Sequence, residues 1–186
     1  MDAYGYDSLF PVVKTNIGNL ACIASEDILF PEVARCLAMR GAEVLLHSTS
    51  EMASPLLTQR HVAKVARAVE NMAYVVSANT AGLADSPIPF GSTDAGSKIV
   101  DPKGLVLAEA GYGESMVANA DIDLAALREF RQRPASGNLL ARQRSELYAQ
   151  SYAEHTIYPP GTLLSQPAER QQFVRTQQEV IKKIYT

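Results

Sequence analysis

Polar side chains that could contact or attack a substrate follow three predicted strands. Ser25–Asp27 come directly after the apolar run Asn19–Ala24. The loop His47–Glu51 and Asn79 follow two further short apolar runs. In α/β proteins, ligands bind at the carboxyl ends of the strands, so a pocket is predicted at this edge of a sheet.

Each of these residues also has a purely structural interpretation. His47 and Ser48 could contact substrate, or could belong to a capped polar loop. Asn79 could line the pocket or satisfy loop backbone, and the hydroxyl of Ser25 could hydrogen-bond to nearby amides. The residues alone leave these alternatives open.

Metal and cofactor chemistry finds little support in the sequence. The histidines are His47, His61 and His155, and their spacing matches no metal-ligand motif. Cys22 and Cys36 are too few for a disulfide framework or a zinc site of the CxxC type. We expect both cysteines to be small core residues. For the chain as a whole we expect no metal and no cofactor.

Composition is that of an ordinary globular chain. Of 186 residues, 47% are hydrophobic and 20% are charged, and the formal net charge of −3 favours neither a nucleic acid nor a membrane as a partner. The absence of a long apolar run and of a signal peptide at Met1 predicts a cytoplasmic protein.

The first half of the chain predicts two βα units in series. A helix is predicted to begin at Pro31, because the first position of a helix needs no backbone N–H donor, and to end before Gly41. A second helix, about Leu57–Met72, lies between the strands Val44–Leu46 and Tyr74–Ala78. Strands alternating with helices predict an α/β fold with parallel strands. In the second helix the predicted buried stripe is Val62, Val65, Ala66 and Val69, with Arg60, Lys64 and Arg67 on the surface.

The second half is more polar and less regular. A hairpin is predicted from Ser97–Val100 and Leu105–Ala108, because the connection Asp101-Pro102-Lys103-Gly104 is a strong turn signal. Further along, a strand is predicted at Met116–Ile122, and helices at Leu124–Arg131, at Leu139–Tyr148 and from about Pro167. The last helix carries the apolar residues Phe173, Val180, Ile181 and Ile184, so we divide the chain into a domain, 1–150, and a C-terminal tail and helix, 151–186, for subunit contact.

Five stretches occur in the order of the motifs of one enzyme family. The first, Gly18–Arg35, contains a glycine, a strand, an elbow, then Phe30-Pro31-Glu32 and an arginine on the following helix. The other four stretches are Gly41–Leu45, Arg67–Asn71 with Val75–Asn79, Gly96–Gly104, and Arg144–Tyr148. Together the five resemble the nitrilase superfamily of carbon–nitrogen hydrolases, specifically the C-terminal portion of its domain.

The resemblance implies a nitrilase-like α-β-β-α sandwich that dimerises across its helices. It also implies hydrolysis of a non-peptide carbon–nitrogen bond in a small amide, nitrile or carbamoyl compound. In that chemistry a cysteine attacks to give an acyl-thiol, a glutamate is the general base, and a lysine stabilises the tetrahedral intermediate. The backbone N–H of Glu26 would then face the oxyanion.

At the position of the family's cysteine this chain has serine. Ser25 lies five residues before Phe30 and seven after Gly18, and both flanks agree on it without a gap. Cys22 lies three residues earlier, on the opposite face of the strand, and cannot simply replace it. A hydroxyl is a poorer nucleophile than a thiol and needs stronger activation by a base.

The family's glutamate and lysine belong upstream of this segment, so we expect the N-terminal part of the sandwich to be missing. Lys14 is too near Ser25 in sequence to replace the lysine. We therefore expect this chain by itself to be inactive. The alternatives are a non-catalytic subunit that binds a ligand or pairs with a second copy or a longer homologue, and a truncated gene product.

Overall fold

The computed structural model describes residues 5–52, 58–87, 89–90, 93, 95–111, 115–155, 157–161 and 169–184. It contains a mixed sheet in which the strands lie in sequence order from β1 to β6. The central strands β2, β3 and β4 are parallel, while β1, β5 and β6 run antiparallel to their neighbours. The strands are β1 (Val13–Thr15), β2 (Gly18–Ala24), β3 (Val44–Thr49), β4 (Tyr74–Asn79), β5 (Lys98–Val100) and β6 (Val106–Glu109).

Two helices connect the parallel strands, which confirms the predicted pair of βα units. Helix α1 (Pro31–Met39) begins at its proline, and the chain turns at Gly41, where φ is +94°. Helix α2 (Gln59–Asn71) begins after Thr58, whose hydroxyl accepts a hydrogen bond from the backbone N–H of His61. The remaining helices are α3 (Leu124–Gln132), α4 (Ser145–Glu154) and α5 (Arg170–Ile184). The predicted first residues of α2 and α5, Leu57 and Pro167, lie outside the described residues.

The main core lies between one face of the sheet and the helices α1 and α2. Its sheet residues alternate along the strands, as a period of two requires. On the other face, Leu20, Leu46 and Val76 are half-buried and pack with Leu127 and its neighbours. Cys22, also on this face, is exposed, so its prediction as a core residue is wrong. The buried sheet residues of the main core are Ala21, Ile23, Leu45, Val75 and Val100.

The predicted buried stripe of α2 is wrong for Val62 and Val69, whereas Val65 does pack against the main core. Val62 is 53% exposed and Val69 is 36% exposed, whereas Lys64 is fully buried and Arg67 is 7% exposed. The polar face points inward because it finds partners there: Glu51 for Lys64, and backbone carbonyls for Arg67. Periodicity alone could not locate those partners.

Two further elements differ from their predictions. Met116–Ile122 is no strand: Met116 and Val117 are 51% and 82% exposed, and an alternating pattern needs a neighbouring strand to become β-structure. The predicted helix Leu139–Tyr148 begins only at Ser145. Before it, the side chain of Asn138 bonds the carbonyls of Arg131 and Arg133 and the N–H of Ala141, which favours turns over a helix.

The chain divides into two compact units, Met1–Arg142 and Gln143–Thr186. The sheet and both apolar clusters belong to the first unit, and the second contains α4 and α5. In α5, Val180 is buried, while Phe173, Ile181 and Ile184 are each about half exposed. Among the described residues, no helix combines the length and the apolar character needed to span a bilayer.

Candidate functional site

The three parallel strands bring the predicted site residues to one edge of the sheet. Ala24 of β2 pairs with Ser48 of β3, and Ser48 pairs with Ala78 of β4. Ser25 and Asn79, each the next residue along the chain, therefore lie at the carboxyl ends of neighbouring strands. This is the edge where parallel sheets bind ligands.

Ser25 occupies a strained backbone conformation. Its φ is 46°, in the left-handed region that a residue with a Cβ rarely adopts. The chain leaves β2 there and enters a 3-10 helix, Ser25–Leu29. Such strain costs about 1–3 kcal/mol and persists only where the surroundings enforce it. The half-buried Ser25 is thus at a sharp strand-to-helix elbow.

Two buried side chains hold this elbow from the core side. Nε2 of His47 lies 2.9 Å from the carbonyl oxygen of Ser25. Arg67 donates from Nε to the carbonyl of Ile28 and from Nη2 to that of Leu29, both at 2.9 Å. It also pairs with Glu70, at 2.9 Å. Segment Ser25–Leu29 is therefore fixed at both ends.

His47 is 2% exposed, and both of its ring nitrogens have protein partners. Nδ1 lies 2.9 Å from the hydroxyl oxygen of Ser77 on β4, a residue that no sequence pattern marked as part of the site. Burial lowers the pKa of His47, although the hydrogen bond with the Ser25 carbonyl opposes that shift. The imidazole is consequently neutral near pH 7.

The other predicted residues lie around the elbow. Ser48 and Glu26 are exposed, and the carboxylate of Glu26 pairs with Arg60 of α2 at 2.7 Å. Asn79 connects two loops, because its Oδ1 accepts from the N–H of Glu51 and its Nδ2 donates to the carbonyl of Ala95.

A buried ionic network lies beneath this region. Glu51, 1% exposed, pairs with the fully buried Lys64 at 2.9 Å. His61 lies 4.0 Å from Glu51 through Nε2 and 3.2 Å from Nζ of Lys98 through Nδ1. Lys98 also pairs with Glu109 at 2.7 Å. In the described part of the chain, no group of three histidine, cysteine or acidic residues could hold a metal ion.

The chain is similar in sequence to a family model and to several known proteins. The family model for carbon–nitrogen hydrolases matches residues 3–132. Omega-amidase NIT2 of Bos taurus is 34% identical over 142 residues, which are 75% of this chain and 48% of that protein. An (R)-stereoselective amidase of a Pseudomonas species is 39% identical over 108 residues, or 58% of this chain and 37% of the relative.

Solved structures give the same result. Saccharomyces cerevisiae Nit3, a member of branch 10 of the nitrilase superfamily, superposes with a TM-score of 0.58 at 28% identity, over 66% of this chain and 44% of that one. A mutant amidase from Nesterenkonia sp. AN1 in complex with butyramide gives 0.58 at 30% identity, over 75% and 46%. The chain thus spans less than half the length of these relatives.

Proposed function

Because the chain belongs to the carbon–nitrogen hydrolase family, within the nitrilase superfamily, we propose that it carries the elbow of a site for small amide, nitrile or carbamoyl compounds. The observation that carries the proposal is the conformation of Ser25, a strained residue at the carboxyl edge of a parallel sheet. A relative whose structure contains butyramide supports the substrate class.

The proposed roles follow from this position. The hydroxyl of Ser25 faces the electrophilic carbon, and the backbone N–H of Glu26 donates to the oxygen that becomes negative during attack. Ser48 and Asn79 line the pocket. In one related amidase the acetamide moiety of fluoroacetamide is bound covalently to an active-site cysteine, so serine at this position distinguishes our chain.

We further propose that the 186-residue chain by itself binds such compounds without turning them over. Serine needs a base to accept its proton during attack. The carboxylate of Glu26 pairs with Arg60, and that of Glu51 is buried beside Lys64. Both acids are therefore engaged with cations rather than offered to Ser25.

The test measures ammonia release from a panel of simple amides and nitriles, with Ser25→Ala as the matched control. We expect no release above that control, together with saturable, butyramide-dependent shifts of the Glu26 amide resonance. Release that depends on Ser25 would refute the absence of turnover. A Glu26 resonance that butyramide leaves unchanged would refute the site itself.

A second candidate function is assembly with another copy of the chain or with a longer homologue. Two residues of the predicted stripe of α2 are exposed, Val62 at 53% and Val69 at 36%. An exposed apolar stripe on a helix is characteristic of an interaction surface. We propose a homodimer that uses this face, with residues 151–186 as a further subunit contact.

We also propose a cytoplasmic location, which suits the free cysteines Cys22 and Cys36. Cell fractionation with an antibody against the chain tests it, and recovery with a membrane or secreted fraction would contradict it.

A further inference from the structure

One peptide group connects the buried core to the proposed site. It joins Ser25 to Glu26, so the carbonyl that His47 contacts and the N–H assigned to the oxyanion belong to the same rigid unit. The peptide bond is planar and trans, and its C=O and N–H therefore point in opposite directions. Fixing the direction of one fixes the direction of the other.

The hydrogen-bonding chemistry determines which atom of His47 carries the proton. A carbonyl oxygen can only accept, so Nε2 of His47 must be the donor to Ser25. In the neutral ring Nδ1 is then an acceptor, and the hydroxyl of Ser77 donates to it. The Ser25 carbonyl thus selects the tautomer, and the Ser77 hydroxyl, which can donate or accept, fits it as the donor to Nδ1.

The strand register places His47 and Ser77 next to each other. His47 pairs with Ile23 of β2 on one side and with Ser77 of β4 on the other, so the imidazole and the hydroxyl are neighbours in one row of the sheet. His47 is 2% exposed and Ser77 is 3% exposed. Water therefore competes little for these hydrogen bonds.

We propose that His47 is a positioning residue for the oxyanion donor: it holds the carbonyl of Ser25 toward the core and so aims the N–H of Glu26 outward. The hydrogen bond also polarises the peptide group and strengthens its N–H as a donor. It offsets part of the strain of the left-handed Ser25. This inference rests on the proposed function, because it needs Glu26 to face a carbonyl oxygen.

The first test needs no substitution and no substrate. In the 186-residue chain labelled with ¹⁵N at histidine, long-range ¹H–¹⁵N spectra report which ring nitrogen carries the proton. We expect His47 to be protonated at Nε2 alone. Protonation at Nδ1 alone, or fast exchange between tautomers, would overturn the proposal.

The second test measures carbonyl chemistry at the elbow. Ser25→Cys in a Cys22→Ala, Cys36→Ala background provides a single thiol. With p-nitrophenyl acetate, its thiolate forms a bond to the acetyl carbon while p-nitrophenolate leaves with the electron pair of the broken C–O bond. With methyl methanethiosulfonate, a disulfide forms and methanesulfinate leaves, so no carbonyl is involved. We divide the rate with p-nitrophenyl acetate by the rate with methyl methanethiosulfonate. This ratio reports oxyanion stabilisation separately from thiol reactivity and from folding.

We expect His47→Leu to lower this ratio about tenfold, less than the ~10²–10³ that removal of a complete oxyanion donor costs. His47→Gln, whose amide can still donate to the Ser25 carbonyl, should restore most of it. His61→Leu is the matched control, since His61 is a similarly buried imidazole, 3% exposed, that contacts Lys98 instead. It should lower the melting temperature and leave the ratio unchanged.

The outcomes separate the two proposals. If the thiol in the His47-containing chain shows no higher ratio than the same chain unfolded in urea, the oxyanion role of Glu26 fails and the proposed function fails with it. If the ratio is high but His47→Leu leaves it unchanged, only the role of His47 is refuted.

Discussion

His47 is the residue whose ionisation should be visible in the stability of the whole chain. Burial lowers its pKa in the folded state from the ordinary value of 6.5. Above that value both the folded and the unfolded chain have neutral His47, and its full contribution to stability is present. As the pH falls below about 6.5, the unfolded chain binds the proton first, so stability is lost.

We therefore predict that the free energy of unfolding falls more steeply between about pH 7 and pH 5 in the wild type than in His47→Gln. Urea titrations of both proteins at a series of pH values measure the difference, in which every contribution common to the two proteins cancels. Parallel curves would contradict the lowered pKa of His47.

The buried pair of Glu51 and Lys64 gives a second prediction for single residues. Glu51→Gln removes the carboxylate 2.9 Å from a fully buried ammonium group, which should cost about 3–5 kcal/mol of unfolding free energy. The matched control is Glu129→Gln, which breaks the exposed pair with Arg133 and should cost less than about 1 kcal/mol. Equal losses in urea unfolding would show that burial does not decide the energy of these pairs.

At the scale of elements, the turn between β5 and β6 is close to α2. Gly104 has a φ of +90°, and a Cβ there would lie 2.8 Å from a methyl carbon of Val69. We predict that Gly104→Ala lowers the free energy of unfolding by about 1–3 kcal/mol. Gly137→Ala, whose Cβ would have no atom within 4 Å, should change it by less than about 1 kcal/mol. Thermal melts compare the two variants. A melting temperature that Gly104→Ala leaves unchanged would mean that the turn accommodates the methyl group.

Two arginines connect helix α3 to the sheet side of the first unit: Arg128, which pairs with Glu43 at 2.6 Å, and Arg131. Arg131 donates to the carbonyls of Ala42 at 2.7 Å and of Met72 at 2.8 Å, at the start of β3 and the end of α2. Arg131→Met should leave both carbonyls without this donor and cost about 1–3 kcal/mol in urea unfolding. Arg142→Met, at an exposed arginine bonded to Ser136, is the control, and an equal loss there would refute the specific role of Arg131.

For the whole molecule, the exposed valines of α2, Val62 and Val69, predict self-association. Val62→Glu places a charge on that surface and should lower the weight-average mass in analytical ultracentrifugation without lowering the melting temperature. Val117→Glu is the control, because Val117 is 82% exposed and lies outside the helix. A wild-type chain that stays monomeric at every concentration would refute the proposed dimer.

The sequence by itself determined the order of the central elements and the position of the elbow. The residues that fix these features are local: a proline at the start of α1, a glycine after it, and apolar runs of strand length. Ser25 follows directly from such a run, so its place at a strand end needed no tertiary information. The family, too, was readable from motifs that each occupy a short stretch of chain.

Only the tertiary structure decided which polar groups meet. Lys64 and Arg67 are buried because Glu51 and the carbonyls of the 3-10 helix come to them across the fold, and helical periodicity carries no information about such partners. The hydrogen bonds from Ser77 through His47 to Ser25 connect β4, β3 and the residue that follows β2, and their atoms become neighbours only when the strand register is set. Local spacing specified the elements, whereas long-range pairing decided which of their faces are buried and which residues hold the elbow.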